Sequence, residues 1–170
     1  MLGFLFRTLT AQPSRGAAVF DAITAETRKT HWYVEGEVPD TIDGRFAVLA
    51  TLTALALVRL ESAGDDSNAA SVALTERFIE VMESEHRELG LGDPTLGKRV
   101  RKLVGSLSRR VELWRKATNG QGEWPQAVQQ SLYSGDAKSG AVSHSAEALQ
   151  SYWSRLRESE LADLMEGKIG

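Results

Sequence analysis

Residues 74–116 indicate the fold class most clearly and read LTERFIEVMESEHRELGLGDPTLGKRVRKLVGSLSRRVELWRK. Its apolar residues recur at steps of three, four and seven on either side of a turn, which is the spacing of one helical face. They are Leu74, Phe78, Val81, Met82 and Leu89 before the turn, and Leu96, Val100, Leu103, Val104, Leu107, Val111 and Trp114 after it. The turn, residues 89–97, is rich in glycine and contains Pro94. The stretch therefore predicts two amphipathic helices that pack as an antiparallel pair.

A helix predicted from Arg45 to Leu60 is apolar nearly all round. No charged residue occurs between Arg45 and Arg59, and this run is well short of the ~20 residues that span a bilayer. We therefore predict that it is the central helix of the core. Further helices are predicted at residues 15–28, from 125 to near 135, at 141–157 and at 160–165. Because almost no segment alternates with the period of a strand, the expected fold is all-α, a single compact domain of six to seven helices over residues 1–170.

The composition of the 170 residues is that of an ordinary globular protein. The hydrophobic fraction of 42% argues against wholesale disorder. There is no cysteine, which excludes disulfides and thiolate chemistry. The net charge is -3, but residues 98–116 carry Lys98, Arg99, Arg101, Lys102, Arg109, Arg110, Arg115 and Lys116 against one acid, Glu112. The positive charge is therefore concentrated on one predicted helix.

The first residues, 1–14, begin with an apolar run that Arg7 closes. The run is too short for the hydrophobic region of a signal peptide. It is expected either to fray or pack on the domain, or to dip into a membrane interface or a partner's groove.

Two motifs resemble known binding or catalytic patterns, but each lacks a part that the pattern requires. Gly92 to Lys98 fits most of the phosphate-binding pattern GxxxxGK[ST], but Arg99 stands where the metal-binding hydroxyl belongs, and a helix precedes the loop instead of a strand. Here we expect Gly90 or Gly92 to end one helix and Asp93 to cap the next. Glu83 and His86 have the Glu-x-x-His spacing of di-iron bundles, but no second copy exists.

The same residues predict no catalytic site. His86 lies off the apolar stripe and is expected to be solvated. With three histidines and no cysteine, a zinc site would have to rely on carboxylates. We therefore expect no catalytic residue, no metal and no cofactor.

The basic helix allows two interpretations. Its cations could form a solvated face balanced by acids on the preceding helix, namely Glu80, Glu83, Glu85 and Glu88. They could instead bind phosphate backbones or anionic lipid head groups. Because no base-stacking aromatic residue accompanies them, sequence-specific nucleic-acid binding is not expected.

Two strings carry a family resemblance. Residues 31–46 contain His31-Trp32-Tyr33, Gly36 and Val38-Pro-Asp-Thr-Ile-Asp-Gly-Arg-Phe46, followed later by Arg59-Leu60, and residues 87–100 read RELGLGDPTLGKRV. With these strings, the chain resembles the ubiquinol–cytochrome c chaperone family over roughly Thr30 to Ala117. That family includes mitochondrial assembly factors of the cytochrome bc1 complex and related alphaproteobacterial proteins.

The resemblance implies an all-helical, non-enzymatic assembly chaperone that binds newly made cytochrome b at the cytoplasmic side of the inner membrane. The ribosome, an anionic membrane surface and a second assembly factor are further implied partners. An apolar client groove is expected from Trp32, Tyr33, Val38 and Phe46. The expected partner or membrane face comprises Lys98, Arg99, Arg101, Lys102, Arg109 and Arg110.

Other interpretations stay open beside this one. Asp40, Thr41 or Asp43 is expected to cap the central helix, Gly44 to be structural and Arg45 to pair with an acid. A general ribosome-, RNA- or membrane-binding module without a dedicated client remains the alternative function, and a nucleotide-using enzyme the third.

Overall fold

The computed structural model describes residues 15–170, and in them it shows helices and no strands. The seven α-helices are α1 (Ala17–Thr27), α2 (Ile42–Glu61), α3 (Asn68–Glu88), α4 (Asp93–Thr118), α5 (Trp124–Leu132), α6 (Ser139–Glu158) and α7 (Leu161–Met165). Two 3-10 turns lie at Thr30–Trp32 and Asp65–Ser67. The expected all-α class is confirmed. The apolar segment within residues 1–14 lies outside the described residues.

The central helix of the core is α2. It begins after Thr41, whose Oγ1 accepts a hydrogen bond from the Gly44 amide at 3.1 Å and so satisfies one of the free N–H groups of the first turn. All residues from Thr51 to Val58 are buried, because α1, α3, α4, α5 and α6 all pack on this helix. Its most extensive contact is with α4. Its uncharged sequence is therefore explained by burial on every side, as predicted.

The turn between α3 and α4 ends the first helix as expected. Gly90 has a φ of +82°, and its amide donates to the Arg87 carbonyl at 3.0 Å while the Leu91 amide donates to that of His86 at 3.4 Å. This is the Schellman arrangement, which favours glycine at the left-handed position. The prediction that Asp93 caps α4 is wrong. The capping position is Gly92, and Asp93 is the first helical residue, where its charge complements the helix dipole.

A buried hydroxyl network joins α2, α4 and α5. Trp114 Nε1 donates to Ser131 Oγ at 3.0 Å, and that oxygen lies 2.6 Å from Thr51 Oγ1. Because Thr51 donates its only hydroxyl proton to the Ala47 carbonyl at 2.7 Å, Ser131 must be the donor to Thr51. Every member of the network is thus satisfied, and Ser131 fixes where α5 sits on the core.

Within residues 15–170, no helix combines the length and the apolarity that a membrane crossing requires.

Candidate functional site

An open cleft of about 480 Å³ lies where the end of α1 and the first 3-10 turn meet the start of α2 and the end of α3. Its apolar lining comes mainly from one face of α2, where Ile42, Phe46 and Leu49 follow one another at steps of four and three. Met82 of α3 and Tyr33 complete the apolar part. Ile42 stands at the surface with 68% of its area exposed. The cleft therefore offers a water-accessible apolar surface continuous with the core.

Charged groups surround this apolar lining. Arg45 Nε donates to Asp40 at 2.6 Å. This hydrogen bond lowers the pKa of Asp40 and raises that of Arg45. The guanidinium also lies 5.9 Å from the centre of the Tyr33 ring, whose hydroxyl donates to the Thr27 carbonyl at 2.8 Å. Partial burial raises the pKa of Tyr33. The predicted pairing of Arg45 with an acid is confirmed.

Of the three residues expected as caps of the central helix, Thr41 is confirmed, whereas the predictions for Asp40 and Asp43 are wrong. Thr41 occupies the capping position. The Asp43 side chain points to solvent and lies 3.8 Å from Arg99, which belongs to α4. An acid in the first turn of a helix is still favourable because it faces the positive end of the helix dipole.

His86 lines the cleft and is buried, with 8% of its area exposed, so the expectation of a solvated histidine is wrong. Its Nδ1 donates to the Met82 carbonyl at 2.8 Å. Since a carbonyl can only accept, Nδ1 carries the proton and Nε2 is the acceptor of the neutral ring. The spacing in the sequence indicates this burial, because His86 continues a row at steps of four. The row consists of Leu74, Phe78, Met82 and His86, which are all buried. Glu83, by contrast, is exposed.

The structure divides the four residues expected to form an apolar groove. Tyr33 and Phe46 line the cleft. Trp32 and Val38 are buried in the core: Trp32 Nε1 donates to the Glu26 carbonyl at 3.0 Å, and the Val38 amide donates to the Trp32 carbonyl at 3.0 Å. These two residues therefore hold the cleft wall in place and do not line it. The cleft residues that sequence reasoning missed are Ile42, Leu49, Met82 and His86.

The loop of residues 33–41 forms this wall and is tightly fitted. Gly36 has no room for a side chain, because a Cβ there would lie 2.6 Å from the Trp32 carbonyl oxygen and 2.8 Å from Ser145 Oγ. The Tyr133 hydroxyl donates to the Gly36 carbonyl and lies 2.9 Å from the same Ser145 Oγ. Lys138 pairs with Glu37 at 2.8 Å. Trp32 and Gly36 of the 31–46 string thus serve the packing of an ordered loop.

A cationic stripe runs along the outer face of α4, opposite its buried residues. We use this name for Lys98, Arg101, Lys102 and Arg109, which are all exposed. No carboxylate among the described residues, whether on α3 or elsewhere, lies within 4.0 Å of the charged nitrogen atoms of these four residues. The cations at the end of the helix differ, because Arg115 pairs with Glu61 and Lys116 with Glu112. Direct pairing with α3 therefore does not neutralise the stripe.

Arg110 is not part of this exposed face, contrary to expectation. Its Nη2 and Nε donate to the Ser131 carbonyl at 2.8 and 3.2 Å, and its Nη1 donates to the Ser106 carbonyl at 3.3 Å. The guanidinium lies 5.8 Å from the centre of the Phe46 ring. Burial, followed by repulsion from Arg109, lowers the pKa of Arg110. Arg110 therefore joins α4 to the end of α5 and supports a cleft residue.

Among the side chains that the structure describes, no group of three or more histidine, aspartate or glutamate residues is placed to hold a metal ion. The Glu-x-x-His pair is split between an exposed carboxylate and a buried ring. What the site presents is an apolar surface with a charged rim, next to a helix whose cationic stripe has no carboxylate partner among the side chains that the structure describes.

Comparisons with known proteins agree with this architecture. The crystal structure of the Cbp3 homolog from Brucella abortus matches with a TM-score of 0.77 and 25% identity, over 100% of this chain and 96% of that one. No curated protein matches the chain. A family model for ubiquinol-cytochrome C chaperones matches residues 35–169, which extends the resemblance through α5, α6 and α7. The chain therefore belongs to the ubiquinol-cytochrome C chaperone family.

Proposed function

We propose that this protein is an assembly chaperone of the cytochrome bc1 complex that captures newly made cytochrome b in the cleft. The observation that carries the proposal is an open apolar cleft, lined by Ile42, Phe46, Leu49 and Met82, in a member of a chaperone family. A client that is still unassembled exposes apolar side chains. Burying one Leu, Ile or Phe side chain contributes about 1.5–3 kcal/mol, so a few contacts suffice for reversible capture without any chemical step.

The charged and polar groups of the rim determine what kind of segment the cleft suits. Asp40 and Arg45 already pair with each other, so an incoming apolar segment need not neutralise either charge. The Tyr33 hydroxyl donates its proton to the Thr27 carbonyl, so the ring of Tyr33 is free to make apolar contacts. Glu85 and His86 line the cleft beside Met82 and carry groups that can accept a hydrogen bond, the carboxylate of Glu85 and Nε2 of the neutral His86 ring. The cleft thus suits an apolar segment that carries an occasional hydrogen-bond donor.

Two exposed residues offer a matched test of the cleft. Ile42 and Val34 are 68% and 67% exposed, but only Ile42 lines the cleft. Ile42→Asp places a charge at the first position of α2, where the helix dipole favours an acid, so the fold should be retained. We expect cytochrome b that co-purifies with the tagged full-length protein from native membranes to fall at least ~10-fold in Ile42→Asp. Val34→Asp should retain it, with mass spectrometry as the readout.

Two outcomes of this experiment would contradict the proposal. Equal retention by both variants would remove the cleft from client capture. Wild-type protein that brings down ribosomes or lipid but no cytochrome b would favour the alternative function, a general binding module without a dedicated client.

The cationic stripe supports a second, compatible role in orienting the protein toward an anionic surface, either the inner membrane or ribosomal RNA. This role is supported by the four exposed cations of the stripe, which have no carboxylate partner among the described residues. A lysine or arginine near an anionic membrane contributes about 1 kcal/mol, and salt weakens the attraction.

Charge reversal tests the orienting role. Changing Lys98, Arg101, Lys102 and Arg109 to glutamate should abolish sedimentation with vesicles that contain anionic lipid. Wild-type binding should weaken steadily as salt is raised. The control changes Arg115 and Lys116, which already pair with acids, and should keep most of the binding. Binding that survives the fourfold reversal would exclude the stripe, whereas loss for vesicles but not for ribosomal RNA would identify the membrane as its target.

A further inference from the structure

A pair of histidines that the cleft does not use links the cleft wall to α6. His31 lies in the 3-10 turn Thr30–Trp32, and His144 lies in α6. His31 Nδ1 and His144 Nε2 are 3.1 Å apart, and the ring planes are inclined at 66°. Two imidazole nitrogens at this distance form a hydrogen bond only if one carries a proton and the other presents its lone pair. The contact therefore depends on the number of protons the pair holds.

His31 stands at the base of the loop that forms the cleft wall. Its carbonyl accepts from the Gly36 amide at 2.8 Å, and its ring lies 4.3 Å from that of the buried Trp32. The next residue, Tyr33, lines the cleft. His31 is thus two positions away in the sequence from a residue that lines the cleft.

We propose that the His31–His144 hydrogen bond is a proton-controlled latch, which holds the cleft wall of residues 33–41 against α6 and releases it when both rings are protonated. With both rings charged, two N–H groups and two positive charges would face each other across 3.1 Å. The latch is a property of the folded chain alone. Its effect on client capture rests on the proposed function.

The charged groups around the pair do not remove this repulsion. Glu26 of α1 faces the site but pairs with Lys29 at 2.9 Å and with Arg155 at 3.1 Å. Lys29 adds a positive charge beside His31, while Glu35 of the loop and Glu147 of α6 contribute negative ones. Burial, followed by the proximity of His144, outweighs these acids and lowers the pKa of His31 from 6.5. The folded state thus favours the neutral ring.

The direction of the pH dependence follows from this lowered pKa. Below 6.5 an unlatched His31 binds a proton more readily than the latched one. The latch is therefore fully effective above that pH and weakens as the pH falls below it. Each proton taken up on opening increases the population of the open state by up to about tenfold per pH unit.

The third histidine is a natural control. His86 Nδ1 donates to a carbonyl oxygen, and it keeps that proton and that bond when the ring is protonated. Only the His31–His144 contact loses its hydrogen bond on protonation.

Hydrogen exchange of the full-length protein, in EDTA to exclude metal effects, tests the latch without a client. The wall amides of Val34, Gly36 and Val38 donate to carbonyls of the preceding 3-10 turn and report the opening of the wall. After correction for intrinsic exchange rates, their protection in the wild type should fall about tenfold or more between roughly pH 7.5 and pH 5.5. In His144→Gln, whose amide can donate to His31 or accept from it, the fall should be reduced to less than about threefold. His86→Gln should retain the wild-type response.

Two results would overturn the latch. One is equal protection of the wild-type wall at both pH values, and the other is an equal fall in the wild type and His144→Gln. Amides of the central helix provide the reference, since a variant that merely loosens the fold would lose protection there as well. Because no client is present, failure of the latch is distinguishable from failure of the proposed function.

Discussion

Gly44→Ala is expected to lower the free energy of unfolding by more than about 3 kcal/mol. A Cβ on Gly44 would overlap the carbonyl oxygen of Pro39 and lie 2.9 Å from its carbonyl carbon. Overpacking against movable side chains costs roughly 1–3 kcal/mol. Here the obstacle is backbone, and it is held in place because the Thr41 amide donates to the same carbonyl at 2.8 Å. The cleft wall or the first turn of α2 must therefore shift.

Thermal unfolding measured by circular dichroism checks this expectation. For a chain of this size, 1 kcal/mol corresponds to about 2–4 °C, so the melting temperature should fall by at least ~6 °C. Gly97→Ala is the matched control, because Gly97 lies inside α4 and the nearest atom to its Cβ would be Arg101 Nη1 at 3.9 Å. Alanine is favoured over glycine in a helix by about 1 kcal/mol, so this variant should melt higher. Similar changes in both variants would refute the steric account of Gly44.

The adjacent arginines of α4 should respond in opposite ways to truncation. Arg110→Ala removes the donors to the Ser131 carbonyl and the cation that lies over Phe46. Hydrogen bonds from a charged donor contribute about 1.5–3 kcal/mol, so the melting temperature should fall by roughly 3–12 °C. Arg109→Ala removes an exposed cation without a carboxylate partner among the described residues and should change stability by less than ~0.5 kcal/mol.

Binding to vesicles that contain anionic lipid should reverse this order. Arg109→Ala should bind more weakly than the wild type, because one cation of the stripe is lost. Arg110→Ala, measured well below its melting temperature, should bind as the wild type does. If Arg109→Ala were as destabilising as Arg110→Ala, or if Arg110→Ala alone lost binding, the assignment of the two residues would be reversed.

The helices could be predicted from the sequence because each carries its own signal. The uncharged run before Arg59 marked the central helix, and Gly90 with Pro94 marked the turn between α3 and α4. The prediction for α2 began one turn late, at Arg45 instead of Ile42, because the capping hydroxyl of Thr41 makes Ile42 the first helical residue. Spacing and caps are local, so a local pattern suffices to find them.

The cleft could be predicted only in part. Tyr33 and Phe46, which were expected in an apolar groove, line the cleft, but the equally aromatic Trp32 is buried and its indole N–H donates to the Glu26 carbonyl. Neighbouring residues in a turn point in different directions, and only the docked helices determine which direction faces water. The same holds for Arg109 and Arg110, which are identical in type and adjacent in sequence.

The all-helical class, the central helix, the cationic concentration on α4 and the family could be recognised in the sequence alone. These properties depend on spacing along one chain or on strings of adjacent residues. The packing of the helices was needed to identify the apolar side chains of the cleft and the cations without a carboxylate partner among the described side chains. It was also needed to show that His31 meets His144 across 113 positions of sequence. Those properties depend on distances between helices, and these are set by how the side chains of α1 through α6 pack around α2.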